Sequence, residues 1–180
     1  MDIFFGAVLL VLAGAIVLLF AMLGELASRL PSSRRPARSK DVVPVEDAQL
    51  DGGPEYWPAP FTGLVDRADP AYLFVLSTAC SSCQDVAQQL SAELDLGEAG
   101  DIGVVISSAS RVRGEEFASD YGLQRLPYYV DENGDWASAQ FNIRMSPTAL
   151  VVDRGRAVSA VVFHDIDALR KAAPSMKGVA

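Results

Sequence analysis

A chain of 180 residues has room for one folded domain and some accessory segments. Its formal net charge of −8 is uneven, because residues 1–40 hold five basic and two acidic side chains and residues 41–180 hold the remaining acidic excess. A domain this acidic is a poor ligand for nucleic-acid phosphates, so nucleic-acid binding is excluded.

The first predicted element is a membrane helix. Residues 3–24 contain no charged side chain and are rich in Leu, Val, Ile, Ala and Phe. About 20 such residues cross the hydrocarbon core of a bilayer. A cleaved signal peptide would have a basic start and a shorter apolar stretch, whereas this chain begins Met1-Asp2. The sequence therefore predicts that residues 1–28 are a retained transmembrane anchor of a single-pass protein, which contacts the cell membrane through residues 3–24.

A spacer is predicted after the anchor. Residues 29–59 are rich in Pro, Arg and Ser, which favours a linker, and residues 60–180 are predicted to form the folded domain. Tyr56, Trp57 and Phe61 are apolar enough to dock onto that domain. The basic side chains directly after the apolar segment predict that this flank stays in the cytoplasm. A persistent disulfide would instead suit an oxidising compartment.

Strands and helices are predicted to alternate from residue 71 onward. The apolar runs and turn residues predict five strands, at Tyr72–Ser77, Ile102–Ile106, Tyr128–Asp131, Thr148–Asp153 and Ala157–Phe163. Helices are predicted directly after Cys83, with Val86, Ala87, Leu90 and Leu94 on one face, and at Glu115–Tyr121, Trp136–Phe141 and Asp165–Ala173. This alternation predicts an α/β fold with helices on both faces of a central mixed sheet.

The chain has two cysteines, Cys80 and Cys83, separated by two residues. A disulfide framework needs several cysteines in distant segments, and a structural zinc site needs about four ligands. With His164 as the single histidine, the chain cannot complete such a zinc site. The pair is therefore a redox couple, part of a metal site or two inert thiols.

The position of the pair favours redox chemistry. Cys80 lies where a buried strand gives way to a helix, and the unpaired N–H groups and positive dipole end of a helix start favour a thiolate. The thiolate is the nucleophile in disulfide exchange. Cys83, one turn further on, is placed to attack a mixed disulfide and release the partner. We therefore predict Cys80 as the attacking thiol and Cys83 as the resolving thiol.

Two segments resemble the thioredoxin fold family: Leu73–Cys83 with its following helix, and Met145-Ser146-Pro147-Thr148 leading into a strand. Residues 102–153 are similar to the membrane-anchored thiol-disulfide proteins of cytochrome c maturation. Ser77-Thr78-Ala79-Cys80 resembles the methylamine dehydrogenase accessory protein. The likeness covers roughly residues 60–173. It implies a thioredoxin-like fold in which Pro147 is cis against the cysteine pair and Ser146 binds the backbone of an incoming chain.

The resemblance also implies a function. The expected protein is a thiol-disulfide oxidoreductase that exchanges disulfides with a protein partner through Cys80 and Cys83, without a cofactor or bound metal. Its domain is expected to be monomeric and extracytoplasmic, since the named relatives act on exported proteins. Two positions depart from the family: Ala79 stands where Trp is common, and Phe74 stands where thioredoxins often have a buried carboxylate.

A copper-binding or assembly module is the alternative function. Cys80, Cys83 and His164 are suitable copper ligands, but the copper-delivery relatives have three residues between their cysteines, and a lone strand-end histidine is usually structural. Trp57 and Trp136 are predicted to be packing residues. Asp131, Glu132 and Asp135 are predicted to form a solvated turn.

Overall fold

The computed structural model describes residues 42–50, 53–68, 70–97 and 100–176. The predicted anchor at residues 1–28 lies outside these ranges, so the anchor and its orientation remain predictions. Within the described ranges, no helix is both long enough and apolar enough to cross a bilayer.

The described residues form a six-stranded mixed sheet in the order β1-β6-β5-β2-β3-β4. The strands are β1 (Val43–Pro44), β2 (Ala71–Ser77), β3 (Ile102–Ser108), β4 (Tyr128–Glu132), β5 (Thr148–Asp153) and β6 (Arg156–Val162). The β2–β3 and β3–β4 pairs are parallel, whereas the β2–β5, β5–β6 and β1–β6 pairs are antiparallel. The mixed sheet expected from the sequence is therefore confirmed.

Helices cover both faces of this sheet. They are α1 (Thr62–Val65), α2 (Ser81–Leu96), α3 (Arg111–Asp120), α4 (Asp135–Phe141) and α5 (Ile166–Met176), with short 3₁₀ turns at Ala59–Phe61 and Leu123–Arg125. One core contains α2, part of α3 and α5, packed against side chains such as Phe74 and Ile106. The second core contains α1 and α4, packed against side chains such as Leu73 and Val105. Alternate side chains of each central strand thus pack into opposite cores, because successive side chains of a strand point to opposite faces of the sheet.

The helix that follows the cysteines has the predicted apolar face. Val86, Ala87 and Leu90 are fully buried in α2, and Leu94 packs against the same core. The helix ends at Gly97, whose φ of 76° is the left-handed conformation that glycine adopts at low cost. The predicted cap of the last helix is also present, since Asp165 Oδ1 accepts a hydrogen bond from Ala168 N at 2.9 Å.

Helix α3 begins four residues before the predicted start at Glu115. Ser110 provides the N-cap, its Oγ accepting a hydrogen bond from Arg113 N at 3.5 Å. Gly114 interrupts the apolar spacing that is typical of a helix, so the sequence does not predict this first turn. A side chain at Gly114 would overlap the Val130 side chain of β4, so the glycine lets α3 lie close to the sheet.

Part of the segment between residues 29 and 59 contacts the sheet. Strand β1 pairs with β6, and Val45 N donates to Ala160 O at 2.9 Å. The Trp57 ring packs on the Trp136 ring with centroids 6.0 Å apart, and its Nε1 donates to Gly155 O at 3.1 Å. Both tryptophans are packing residues, as predicted. Phe61 is fully buried, whereas Tyr56 is 55% exposed.

We expect Gly114→Ala to destabilise the protein, because the added methyl group must displace Val130, a rigid β-branched side chain. Overpacking of this kind costs about 1–3 kcal/mol, which exceeds the gain of about 1 kcal/mol from replacing a helical glycine by alanine. The matched control is Gly63→Ala in α1, where an added Cβ would meet only Arg67 Nη2 at 3.9 Å. Urea unfolding of the full chain should give a lower midpoint for Gly114→Ala alone; equal midpoints for the two variants would contradict this account.

Candidate functional site

The reactive end of the site forms where β2 passes into α2. Cys80 is the N-cap residue of α2, and its Sγ accepts a hydrogen bond from Cys83 N at 3.3 Å. The Cys83 and Gln84 N–H groups also donate to Cys80 O, at 3.1 and 3.2 Å. The sulfur thus takes the place that a Ser or Asp oxygen usually has at a helix start. A thiolate at Cys80 would lie against an N–H donor and the positive end of the helix dipole.

The two thiols have different environments. Cys80 is partly exposed, whereas Cys83 is fully buried, and both are free. Burial first, and then a hydrogen bond with Cys80, raise the pKa of the Cys83 thiol to about 12, against opposing hydrogen bonds from Ser146 and the Ser77 backbone. Cys83 is therefore a protonated thiol at neutral pH.

The segment Met145–Thr148 lies directly beside the pair. The Cys80 thiol donates to Ser146 O at 3.5 Å, and the Ser146–Pro147 peptide bond is cis, as the resemblance implies. Two contacts hold this segment in place: the Thr148 hydroxyl donates to Met145 O at 2.8 Å, and Phe163 N donates to Pro147 O at 3.3 Å. The fold thus brings together all four residues that the sequence proposed for the site, although their chemical roles remain predictions.

The position predicted to lack a carboxylate does lack one. Phe74 is buried and packs against Phe163, with ring centroids 4.8 Å apart. Among the described residues, the groups that shift the pKa of Cys83 are Cys80, Ser146 and Ser77, and none of them is a carboxylate.

The copper alternative gains no support from the site. No group of three or more metal-binding side chains (His, Cys, Asp or Glu) occurs in the part of the chain that the structure describes, so His164 does not join the two cysteines in a ligand set. The His164 carbonyl accepts a hydrogen bond from Gln89 Nε2 at 3.3 Å. Gln89 Oε1 also accepts from Ile166 N at 3.0 Å, so this glutamine ties α2 to the start of α5.

The prediction that Asp131 belongs to a solvated turn is wrong. Its side chain is only 1% exposed. Its carboxylate oxygens accept hydrogen bonds from Trp136 N at 2.8 Å and Ala137 N at 2.9 Å, which caps α4. Burial raises the pKa of the Asp131 carboxyl, and the two N–H donors oppose that rise. The available signal was an aspartate shortly before a helix start, a position where a carboxylate satisfies unpaired N–H groups.

The strand order, the cysteine pair at the start of the helix after the central strand, and the cis proline before the next strand together define a thioredoxin-like fold. No protein-family model matches the chain, and no curated protein matches it.

Several solved structures are similar to this chain. One is a secreted Mycobacterium tuberculosis disulfide oxidoreductase homologous to E. coli DsbE, with 20% identity and a TM-score of 0.46 over 59% of this chain and 81% of that one. A secreted thiol-disulfide isomerase from Corynebacterium glutamicum has 21% identity and a TM-score of 0.43, over 61% and 71% of the respective chains. The reduced N-terminal domain of PilB from N. meningitidis has 16% identity and a TM-score of 0.49, over 63% and 83%.

We expect limited alkylation of the reduced native chain at neutral pH to modify Cys80 before Cys83. Cys83 is buried, and its pKa of about 12 keeps it a protonated, unreactive thiol. Tandem mass spectrometry of the peptide that contains both residues measures the two modified fractions. In urea both environments disappear and the two fractions should become similar; native labelling of Cys83 first would overturn the assignment.

Proposed function

We propose that this chain is a thiol-disulfide oxidoreductase that exchanges disulfides with a partner protein through Cys80 and Cys83. The observation that supports this best is the asymmetry of the pair. A partly exposed sulfur caps a helix beside Ser146, and a buried thiol lies one turn behind it. One thiol is thus open to a partner, and the other is reserved for a sulfur already bonded to Cys80.

The proposed reaction is a two-step exchange. The Cys80 thiolate attacks one sulfur of a partner disulfide, forms a mixed disulfide and releases the other partner sulfur as a thiolate. Cys83 then loses its proton and attacks the Cys80 sulfur, which forms the Cys80–Cys83 disulfide and releases the second partner thiolate. The domain is oxidised by two electrons and the partner disulfide is reduced. The same steps in reverse oxidise a partner dithiol, and the relative reduction potentials set the direction.

Ser146 is the proposed contact for the partner backbone. In the reduced protein its carbonyl oxygen accepts the hydrogen bond from the Cys80 thiol at 3.5 Å. The Cys80 sulfur carries no hydrogen in a mixed disulfide, so the Ser146 carbonyl then becomes available to an N–H group of the bound chain. Pro147 fixes the course of the backbone at this point, because proline restricts φ.

We also propose that residues 3–24 anchor the protein in the cell membrane and that the monomeric redox domain lies outside the cytoplasm. The uncharged apolar segment supports the anchor. The proposed chemistry supports the location, since disulfides form and persist mainly in oxidising compartments outside the cytoplasm.

In cells, a Cys83→Ala variant should accumulate mixed disulfides with partner proteins that are scarce with the wild type, because the resolving thiol is gone. Cys80→Ala should trap nothing, since the thiol that remains is buried. Non-reducing electrophoresis followed by a reducing second dimension measures the trapped adducts. The Cys80→Ala/Cys83→Ala double variant is the matched control for adducts that do not involve this pair. The proposed roles fail if Cys83→Ala traps no more protein than this control.

A reporter enzyme that is active only after export, fused to the C-terminus of the full chain, should be active if the domain lies outside the cytoplasm. A second fusion to a reporter that works only in the cytoplasm should then be inactive. The reverse pattern would place the domain in the cytoplasm, as the basic side chains after the apolar segment indicate by themselves. That outcome would sink the proposed location without affecting the exchange chemistry.

A further inference from the structure

A groove of about 280 Å³ is lined in part by Ser146, the neighbour of the proposed attacking sulfur. Its apolar floor consists of Val75 at the end of β2, Ala137 in α4 and Ile143, all of which are buried. Its remaining walls are mainly polar: Ser107, Asn133, Gly134, Ser138, Arg144, Met145 and Ser146. Cys80 and Cys83 do not line the groove, but Ser146, which does, accepts the hydrogen bond from Cys80.

The charge in this groove is opposite to that of the domain. Arg144 is the single charged residue that lines it, whereas the chain as a whole has a net charge of −8. Arg144 is exposed, and it forms no ion pair with any residue in the described ranges. Asp135 follows Gly134 in the chain but does not line the groove. An isolated arginine at the edge of a polar groove favours an anionic group, above all a carboxylate that it can bind through two N–H donors.

A chain joined to Cys80 lies beside Ser146, which lines this groove. Its cysteine is bonded to the Cys80 sulfur, which is 3.5 Å from Ser146 O, and an extended chain advances about 3.3 Å per residue. The side chains within about two residues of the partner cysteine are therefore those nearest to Ser146, and they are the ones that we assign to the groove. Met145, which is 53% exposed at the groove edge, offers an adaptable apolar surface beside the same side chains.

We propose that this groove is a specificity subsite for partner proteins with an acidic side chain within two residues of the reactive cysteine, and that Arg144 binds its carboxylate. The inference rests on the proposed exchange function and deepens it, because it names a chemical feature of the substrate. The subsite selects among partners and does not itself take part in the transfer of electrons.

The test uses the full chain with Cys83→Ala, so that one attacking thiol remains. The probes are short blocked peptides with one cysteine, activated as a disulfide with thiopyridone, and with Glu, Gln or Lys at each position within two residues of it. Absorbance of the released thiopyridone gives the second-order rate constant. At low ionic strength, the Glu peptide at the best position should react about threefold to fivefold faster than the Lys peptide, as expected for an exposed ion pair. The ratio should approach one at high salt.

Variants of Arg144 distinguish the effect of this side chain on the rate ratio from the effect of the overall electrostatic field of the protein. Arg144→Gln should bring the ratio close to one, and Arg144→Glu should invert it in favour of the Lys peptide. The control is Arg113→Glu, which makes the same charge change at an exposed residue of α3, at the same edge of the sheet but outside the groove. It should leave the preference for Glu over Lys in place.

Three outcomes would overturn the inference: a ratio of one with Arg144 present, a ratio that survives Arg144→Glu, or an equal shift from Arg113→Glu. In each of these the peptides still react and the exchange function stands. If no peptide reacts at all, the proposed function itself fails, so the two failures are distinguishable.

Discussion

The register of the central strand β2 determines the geometry of the site. Val75 of β2 lies opposite Thr148, the first residue of β5. The residues that precede β5 therefore lie beside those that follow β2, which places Ser146 next to Cys80. A shift of one residue in this pairing would turn the side chains of β2 to the opposite faces of the sheet. Because both faces are buried in apolar cores, that shift would be costly, and packing far from the cysteines holds them in place.

The same packing makes the two thiols unequal. Cys80 precedes the first turn of α2 and is partly exposed. Cys83 is on the face of α2 that also buries Val86 and Ala87, so the periodicity that packs the helix also buries the second sulfur. In this chain, a spacing of two residues between the cysteines, with the helix beginning at the first, gives one partly exposed and one buried thiol.

Most of the central fold could be predicted from the sequence because the strands are continuous apolar runs bounded by turns, and because α2 has a regular apolar face. The start of α3 could not, since Gly114 is explained only by the close contact of this helix with Val130 of β4. Burial of Asp131 was not predicted, although the helix that follows it was, because three acidic residues in one turn suggested a solvated turn and not a helix cap. Strand β1 has two residues, too few for any periodic signal. The misses at α3 and β1 share one cause, a partner distant in sequence, whereas the partners of Asp131 are only five and six residues away.

The buried side chain at position 74 is a phenylalanine, which cannot accept the proton of Cys83. Burial is the largest cause of the high pKa of Cys83, and the hydrogen bond and charge interaction with Cys80 also raise it. In a mixed disulfide the Cys80 sulfur has neither hydrogen nor charge, and these two contributions end. The hydrogen bonds from Ser146 and Ser77, which lower the pKa of Cys83, are separate from these two contributions of Cys80. In the proposed mixed disulfide, loss of these two contributions favours a lower pKa for Cys83, whereas burial, the largest cause of the high pKa, does not depend on the Cys80 thiol.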